Sequence, residues 1–120
     1  MSAKIVLKSE RGRFRYYVND DAGNVVLSGP FITSKELAVS YVEKIVNAED
    51  LANHIQAQKG PDGKWVFRCE LHASREGEKG QISDSIPLGF GSKSDSEADC
   101  QKSADVFVKA AKGAEFVDET

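Results

Sequence analysis

A chain of 120 residues with 40% hydrophobic and 29% charged side chains has the composition of a globular domain. At this length it can bury roughly two-thirds of its unfolded surface, so folding requires no metal or disulfide. The net charge of −3 is uneven: residues 1–48 carry seven Lys/Arg against five acids, and the rest carry nine against fourteen, which weighs against a general nucleic-acid binder. Apolar runs of only a few residues exclude a transmembrane helix. Met1-Ser2-Ala3-Lys4 leads directly into a strand-like segment with no apolar signal region, so a cytoplasmic setting is expected. In that setting Cys69 and Cys100 read as small core residues rather than a staple.

Ile5 and Leu7 alternate with Lys4, Val6 and Lys8, predicting a first strand with one wet face. Glu10-Arg11-Gly12 makes a tight connection. In the second strand Phe14, Tyr16 and Val18 point inward while Arg13, Arg15 and Tyr17 point out. The turn-rich stretch Asn19–Asn24 joins it to a third strand, Val25–Leu27, which Ser28-Gly29-Pro30 ends. Thr33-Ser34-Lys35-Glu36 has capping-box spacing, and the helix that follows carries an apolar stripe of Ala38, Val42, Ile45 and Val46.

The pattern then returns. Gly12-Arg13-Phe14-Arg15-Tyr16-Tyr17-Val18 is echoed by Gly63-Lys64-Trp65-Val66-Phe67-Arg68-Cys69. A short strand at residues 54–58 and the turn Gly60-Pro61-Asp62-Gly63 precede the echo. After it come a polar hairpin loop, Ser74–Gly80, a short weak strand, Gln81–Ser85, and a loop, Ile86–Lys93. A second helix starts around Ser94 or Ser96. Capping boxes pair Thr33 with Ser94, whereas the apolar stripes pair Ala38, Val42, Ile45 and Val46 with Cys100, Ala104, Phe107 and Val108. The stripe governs, because a one-residue slip turns a helix by about 100° and exposes its core face. Lys112-Gly113 stops the helix, and Ala114–Asp118 reads as a terminal strand.

Gly-basic-aromatic-x-aromatic, a polar Gly-Asn hairpin, and Ser28-Gly29-Pro30-Phe31-x-Thr33-Ser34-Lys35 leading into a helix together resemble the YegP-like domains of unknown function. The match is best from Gly12 to Lys35, and the second copy departs from it in its longer hairpin and its Gly89-Phe90-Gly91 segment. The resemblance implies units of about fifty residues, each three strands followed by a helix and a strand, with helices on one face of an antiparallel sheet and exchanged terminal strands. It implies no activity and no site residues.

The expected fold is therefore α+β: one domain over residues 1–120, made of two tandem β-β-β-α(-β) repeats at about 3–50 and 54–118. The repeats form one antiparallel sheet with two helices on one face.

The first candidate site is the outward sheet face, where the inferred strand pairing lets Lys4, Lys8, Arg13, Arg15 and Arg68 share one face with Tyr17: cations grip phosphates and an aromatic ring stacks a base. The competing reading is a solvated face whose long stems cover Val6 and Val66. The second is Gly89, Gly91, Ser92 and Lys93 ahead of a helix, where backbone amides can cradle an anion, although the spacing is not that of a Walker loop. Cys69 and His72, three apart on a strand, point to opposite faces, so neither a metal set with Cys100 or His54 nor cysteine-protease chemistry is expected. Asp20-Asp21 and Asp95, Glu97 and Asp99 fit turn and helix-start roles better than acid–base catalysis. The resulting expectation is a non-enzymatic module, without cofactor or metal, that binds a protein partner and exists as monomer or homodimer. Nucleic-acid or nucleotide binding through the basic face is the first alternative, and an enzyme with a dispersed site the second.

Overall fold

A computed structural model describes residues 3–77 and 80–120, with backbone alone for 72–77 and 80–85. In chain order the elements are β1 (Lys4–Glu10), β2 (Arg13–Asn19), β3 (Val25–Ser28), α1 (Lys35–Asn47), a 3-10 turn (Leu51–His54), β4 (Ile55–Lys59), β5 (Trp65–Gly77), β6 (Gly80–Phe90), α2 (Glu97–Ala111) and β7 (Glu115–Asp118). The strands form one seven-stranded sheet in the order β4-β5-β6-β3-β2-β1-β7.

Alternation in β1 and β2 sends Ile5, Leu7, Tyr16 and Val18 to one face, where they are fully buried. Leu27, Phe67, Cys69 and Leu88 join them from β3, β5 and β6. The layer is completed by Ala38, Val42 and Ile45 of α1 and Cys100, Ala104 and Phe107 of α2. The two stripes read from the sequence thus face one core. Phe14, Val46, Trp65 and Val108 are only half-buried at its rim. Phe67 and Phe107 stack at 5.8 Å between centroids, and the Tyr16 hydroxyl donates to the Leu88 carbonyl, tying β2 to β6. Both cysteines are buried and free.

Several expectations are corrected. The sheet is mixed, because β7 pairs with β1 in parallel: the chain leaves β6, crosses through α2 and returns along β1 in the same direction. The stretch 74–77 is not loop but strand, and β6 runs from Gly80 to Phe90 rather than ending at Ser85. β5 and β6 pair from Arg68↔Phe90 to Gly77↔Gly80, well past the ends of their neighbours β4 and β3. Backbone ladder bonds do not need apolar side chains, so a polar ribbon of this kind leaves little trace in hydropathy. The expected loop at Ile86–Lys93 is likewise strand as far as Phe90.

The first helix is capped by Ser34, whose hydroxyl accepts from the Leu37 amide at 3.3 Å, and not by Thr33. Ser96 caps the second by accepting from the Asp99 amide at 3.1 Å. Each cap lies four residues before the first buried stripe position, Ala38 or Cys100, in agreement with the stripe alignment.

Candidate binding face of the sheet

The sheet face away from the helices carries the first candidate cluster. In the β1–β2 register Lys8 lies opposite Arg15, Glu10 opposite Arg13 and Val6 opposite Tyr17. A row of pairings, Tyr17↔Ser28, Ser28↔Phe90 and Phe90↔Arg68, carries the same face across to β5. The sequence therefore places Lys8, Arg13, Arg15, Tyr17 and Arg68 on one face, and the structure agrees. Val6, although outward, is only 7% exposed, because Tyr17 and Val117 flank it on the neighbouring strands.

Arg15 is the centre of the arrangement. Its guanidinium lies 4.7 Å from the Phe31 ring centroid, 5.2 Å from that of Tyr17 and 5.8 Å from that of Phe90. These separations are within cation–π range. Its Nε donates to the Gly29 carbonyl at 2.7 Å, fixing the fork. Phe31 is delivered by a strap along β2: the Gly29 amide donates to Tyr16, and Phe14 and Ile32 exchange amide–carbonyl bonds at 2.7 and 2.8 Å. Phe90 arrives from the end of β6. Neither phenylalanine was legible as part of this cluster, since both stand next to loop-forming residues outside any alternating pattern. The only sequence signal is a bulky aromatic beside Gly or Pro with no apolar partner at strand spacing.

Several neighbouring polar groups on the face are already engaged. The Tyr17 hydroxyl donates to Glu10 Oε1 at 2.8 Å. Its pKa is raised, first by desolvation and then by that bond to the carboxylate, with Arg15 opposing. Lys8 Nζ stands 5.8 Å from the Tyr17 ring, and Arg68 pairs with Glu70 at 2.8 Å. Arg68 is thus separated from the Arg15 group by Phe90 and neutralised locally.

The charge of the face is polar along the strands. Lys8, Arg11, Arg13 and Arg15 gather at the β1–β2 turn, where Glu10, Arg11, Arg13 and Phe31 line a shallow depression. At the opposite end Asp20, Asp21, Glu115 and Glu119, with Lys4, line a second open depression.

In the second candidate segment the two glycines have packing roles. Gly89 lies within β6 at φ +146°, and a Cβ there would come within 2.5 Å of the Ser28 carbonyl oxygen; the glycine lets β6 approach β3. The Gly91 and Ser94 amides donate to the Phe67 and Trp65 carbonyls, and Lys93 Nζ pairs with Asp62 at 2.8 Å. Lys64 pairs with Asp95 alongside it. The segment Gly89–Lys93 is strand as far as Phe90 and then a strap, tied to β5 through the Gly91 amide. Ser92 is exposed beside it.

Cys69, whose thiol pKa burial pushes up to about 12 with a smaller contribution from Glu70, is far from a nucleophile's range. Among the described residues no group of three or more His, Cys, Asp or Glu side chains is placed to hold a metal ion; the His72 side chain lies outside them. Among the described residues no helix is long and apolar enough to cross a membrane.

Solved structures match this architecture along its full length. A protein of unknown function, yegP from E. coli, superposes with a TM-score of 0.77 at 16% identity, covering 100% of this chain and 95% of that one. The fold is that of the YegP-like domains. A UPF0339 protein, SO3888 from Shewanella oneidensis, shares it with a TM-score of 0.76 at 16% identity, over 98% of this chain and 92% of that one. No protein-family profile and no curated protein sequence matches the chain. The YegP-like fold accounts for the sheet and helices and assigns no chemistry to the open face.

Proposed function

We propose that this YegP-like chain is a non-enzymatic interaction module that binds a protein partner through its open sheet face. The observation that carries the reading is the aromatic cluster around Arg15. Phe31 and Phe90 are 50% and 45% exposed, yet both are positioned by backbone pairing rather than left on loose loops. Clustered exposed aromatics beside an arginine are the side chains that most often anchor protein interfaces. Surface ion pairs occupy much of the remaining titratable chemistry, and the buried cysteines suit a reducing compartment.

The face belongs to a chain built of two tandem strand–helix units. Supporting this, the Phe14–Ile32 and Trp65–Ser94 exchanges match each other, as do the Gly29–Tyr16 and Gly91–Phe67 bonds. The Ser34 and Ser96 caps match as well, and Ser28 meets Phe90 where β3 joins β6. Under this reading the aromatic cluster sits over the seam between the units.

Affinity purification of the tagged protein from its native cell, beside a Phe31→Ala/Phe90→Ala variant, tests the proposal. One stoichiometric protein that the variant fails to retain is the expected result, whereas a partner held equally well by both excludes this face. Nucleic-acid binding is the second reading, favoured by the placement of Lys8, Arg13 and Arg15 with Tyr17 on one face. Recovery of nuclease-sensitive material would support it.

A further inference from the structure

Resting on that reading, we infer that the partner engages the β1–β2 end of the open face with an acidic, extended segment that also carries an apolar side chain. Four cations, Lys8, Arg11, Arg13 and Arg15, meet one carboxylate there, and Glu10 is already accepting from Tyr17. The exposed rims of Phe31 and Phe90 border the same patch, so carboxylates and an apolar group find complementary surface side by side.

The geometry favours a polypeptide over a nucleic acid. Arg15 occupies the space between the three rings and is anchored to Gly29, so a base would have to displace it before stacking. A phosphate backbone continuing along the strands would run onto Asp20, Asp21, Glu115 and Glu119. A short acidic segment ends before that repulsion begins.

Arg11 gives an independent indication. It stands at φ +51° and Gly12 at +77°, the pair of left-handed residues that a two-residue hairpin demands. Asn or Gly would hold the Arg11 position with less strain, so arginine there sacrifices stability for its charge.

The test uses fluorescence anisotropy with the full chain and three labelled peptides of equal length: one alternating Glu/Asp with a Phe, the same peptide with Gln/Asn in place of the acids, and the same peptide without the Phe. Oligo-dT of similar charge is the fourth probe. The acidic Phe peptide should bind best, and binding should weaken as salt rises. Arg11→Glu/Arg13→Glu should weaken it roughly tenfold or more, as expected for several exposed ion pairs lost or reversed together. Arg11→Asn should weaken it roughly two- to fivefold while raising the unfolding midpoint, which separates lost recognition from lost folding.

Equal binding of the Gln/Asn peptide overturns the acidic inference and leaves the protein-binding reading standing. Tighter binding of oligo-dT overturns both. Acidic-peptide affinity unchanged in Arg11→Glu/Arg13→Glu, with that variant folded, removes this end of the face as the site.

Discussion

Replacing Gly91 with Ala should destabilise the protein markedly, because the strap runs directly against the Phe67 ring. A Cβ on Gly91 would lie 2.0 Å from Phe67 Cε1, 2.5 Å from Cζ and 2.6 Å from Cδ1. Ordinary carbon contacts are about 3.5–4.0 Å, so the ring edge must retreat by about 1.5 Å. It has little room: Phe67 is fully buried and stacked on Phe107, and the Gly91 amide is bonded to the Phe67 carbonyl at 2.9 Å. Overpacking a filled core costs about 1–3 kcal/mol, and a clash this close lies near or above the top of that range. The lost chain entropy of glycine returns about 0.4–1 kcal/mol, because Gly91 is outside the left-handed region. The net expectation is a loss of about 2–3 kcal/mol, or about 8–12 °C in Tm for a domain of this size. Urea unfolding monitored by Trp65 fluorescence measures it. Phe67→Leu removes the offending ring edge, so the double variant should be more stable than the sum of the two single losses by about 1 kcal/mol or more. A Gly91→Ala protein within about 0.5 kcal/mol of the parent, or strict additivity with Phe67→Leu, would refute the close-packing argument.

Tyr16→Phe deletes the hydroxyl that donates to Leu88 and should cost about 1–2 kcal/mol in urea unfolding, since a buried carbonyl loses its donor; a neutral effect would show that the bond contributes nothing. Cys69 and Cys100 should react with thiol reagents only as fast as the protein opens, with Cys69 further protected by its raised pKa; fast labelling of the native protein would contradict the burial of both. The carboxyls of Asp62, Asp95 and Asp118 are held below their ordinary value of 3.8 by Lys93, Lys64 and Lys35 respectively. Folded values below unfolded ones mean that their contribution is complete above about pH 4 and is lost as pH falls through the folded values, so urea midpoints should decline there, and less steeply for Lys35→Ala. All three are at the surface, so high salt should flatten the effect, and a midpoint that rises below pH 4 would reverse the assigned sign. Arg11→Asn should stabilise by about 0.5–1 kcal/mol by relieving a left-handed arginine; an unchanged or lower midpoint would show that the turn is not strained.

Local periodicity determined a good deal by itself. Alternation placed Tyr16, Val18, Phe67 and Cys69 inside and Arg13, Arg15 and Tyr17 outside, because a strand can present only two faces. The helical stripes through Ala38 and Cys100 located both helices and overruled the capping-box spacing, since burial of a whole face outweighs one cap. Lys8, Arg13, Arg15 and Tyr17 could be grouped by alternation alone for the same reason. What the sequence left open depends on contacts between distant segments. Nothing in Glu115–Asp118 states that it will lie parallel to β1, and nothing in the polar run after Cys69 announces a long ribbon, because ladder bonds are made by backbone that every residue carries. The steric reasons for Gly89 and Gly91, the Ser28 carbonyl and the Phe67 ring, lie in distant segments and leave no mark in the local sequence. The Arg15 cluster was beyond reach for the most basic cause. Tyr17 stands beside Arg15 on β2, but Phe31 is brought to the guanidinium by the strap along β2 and Phe90 by the closing of β6 onto β3.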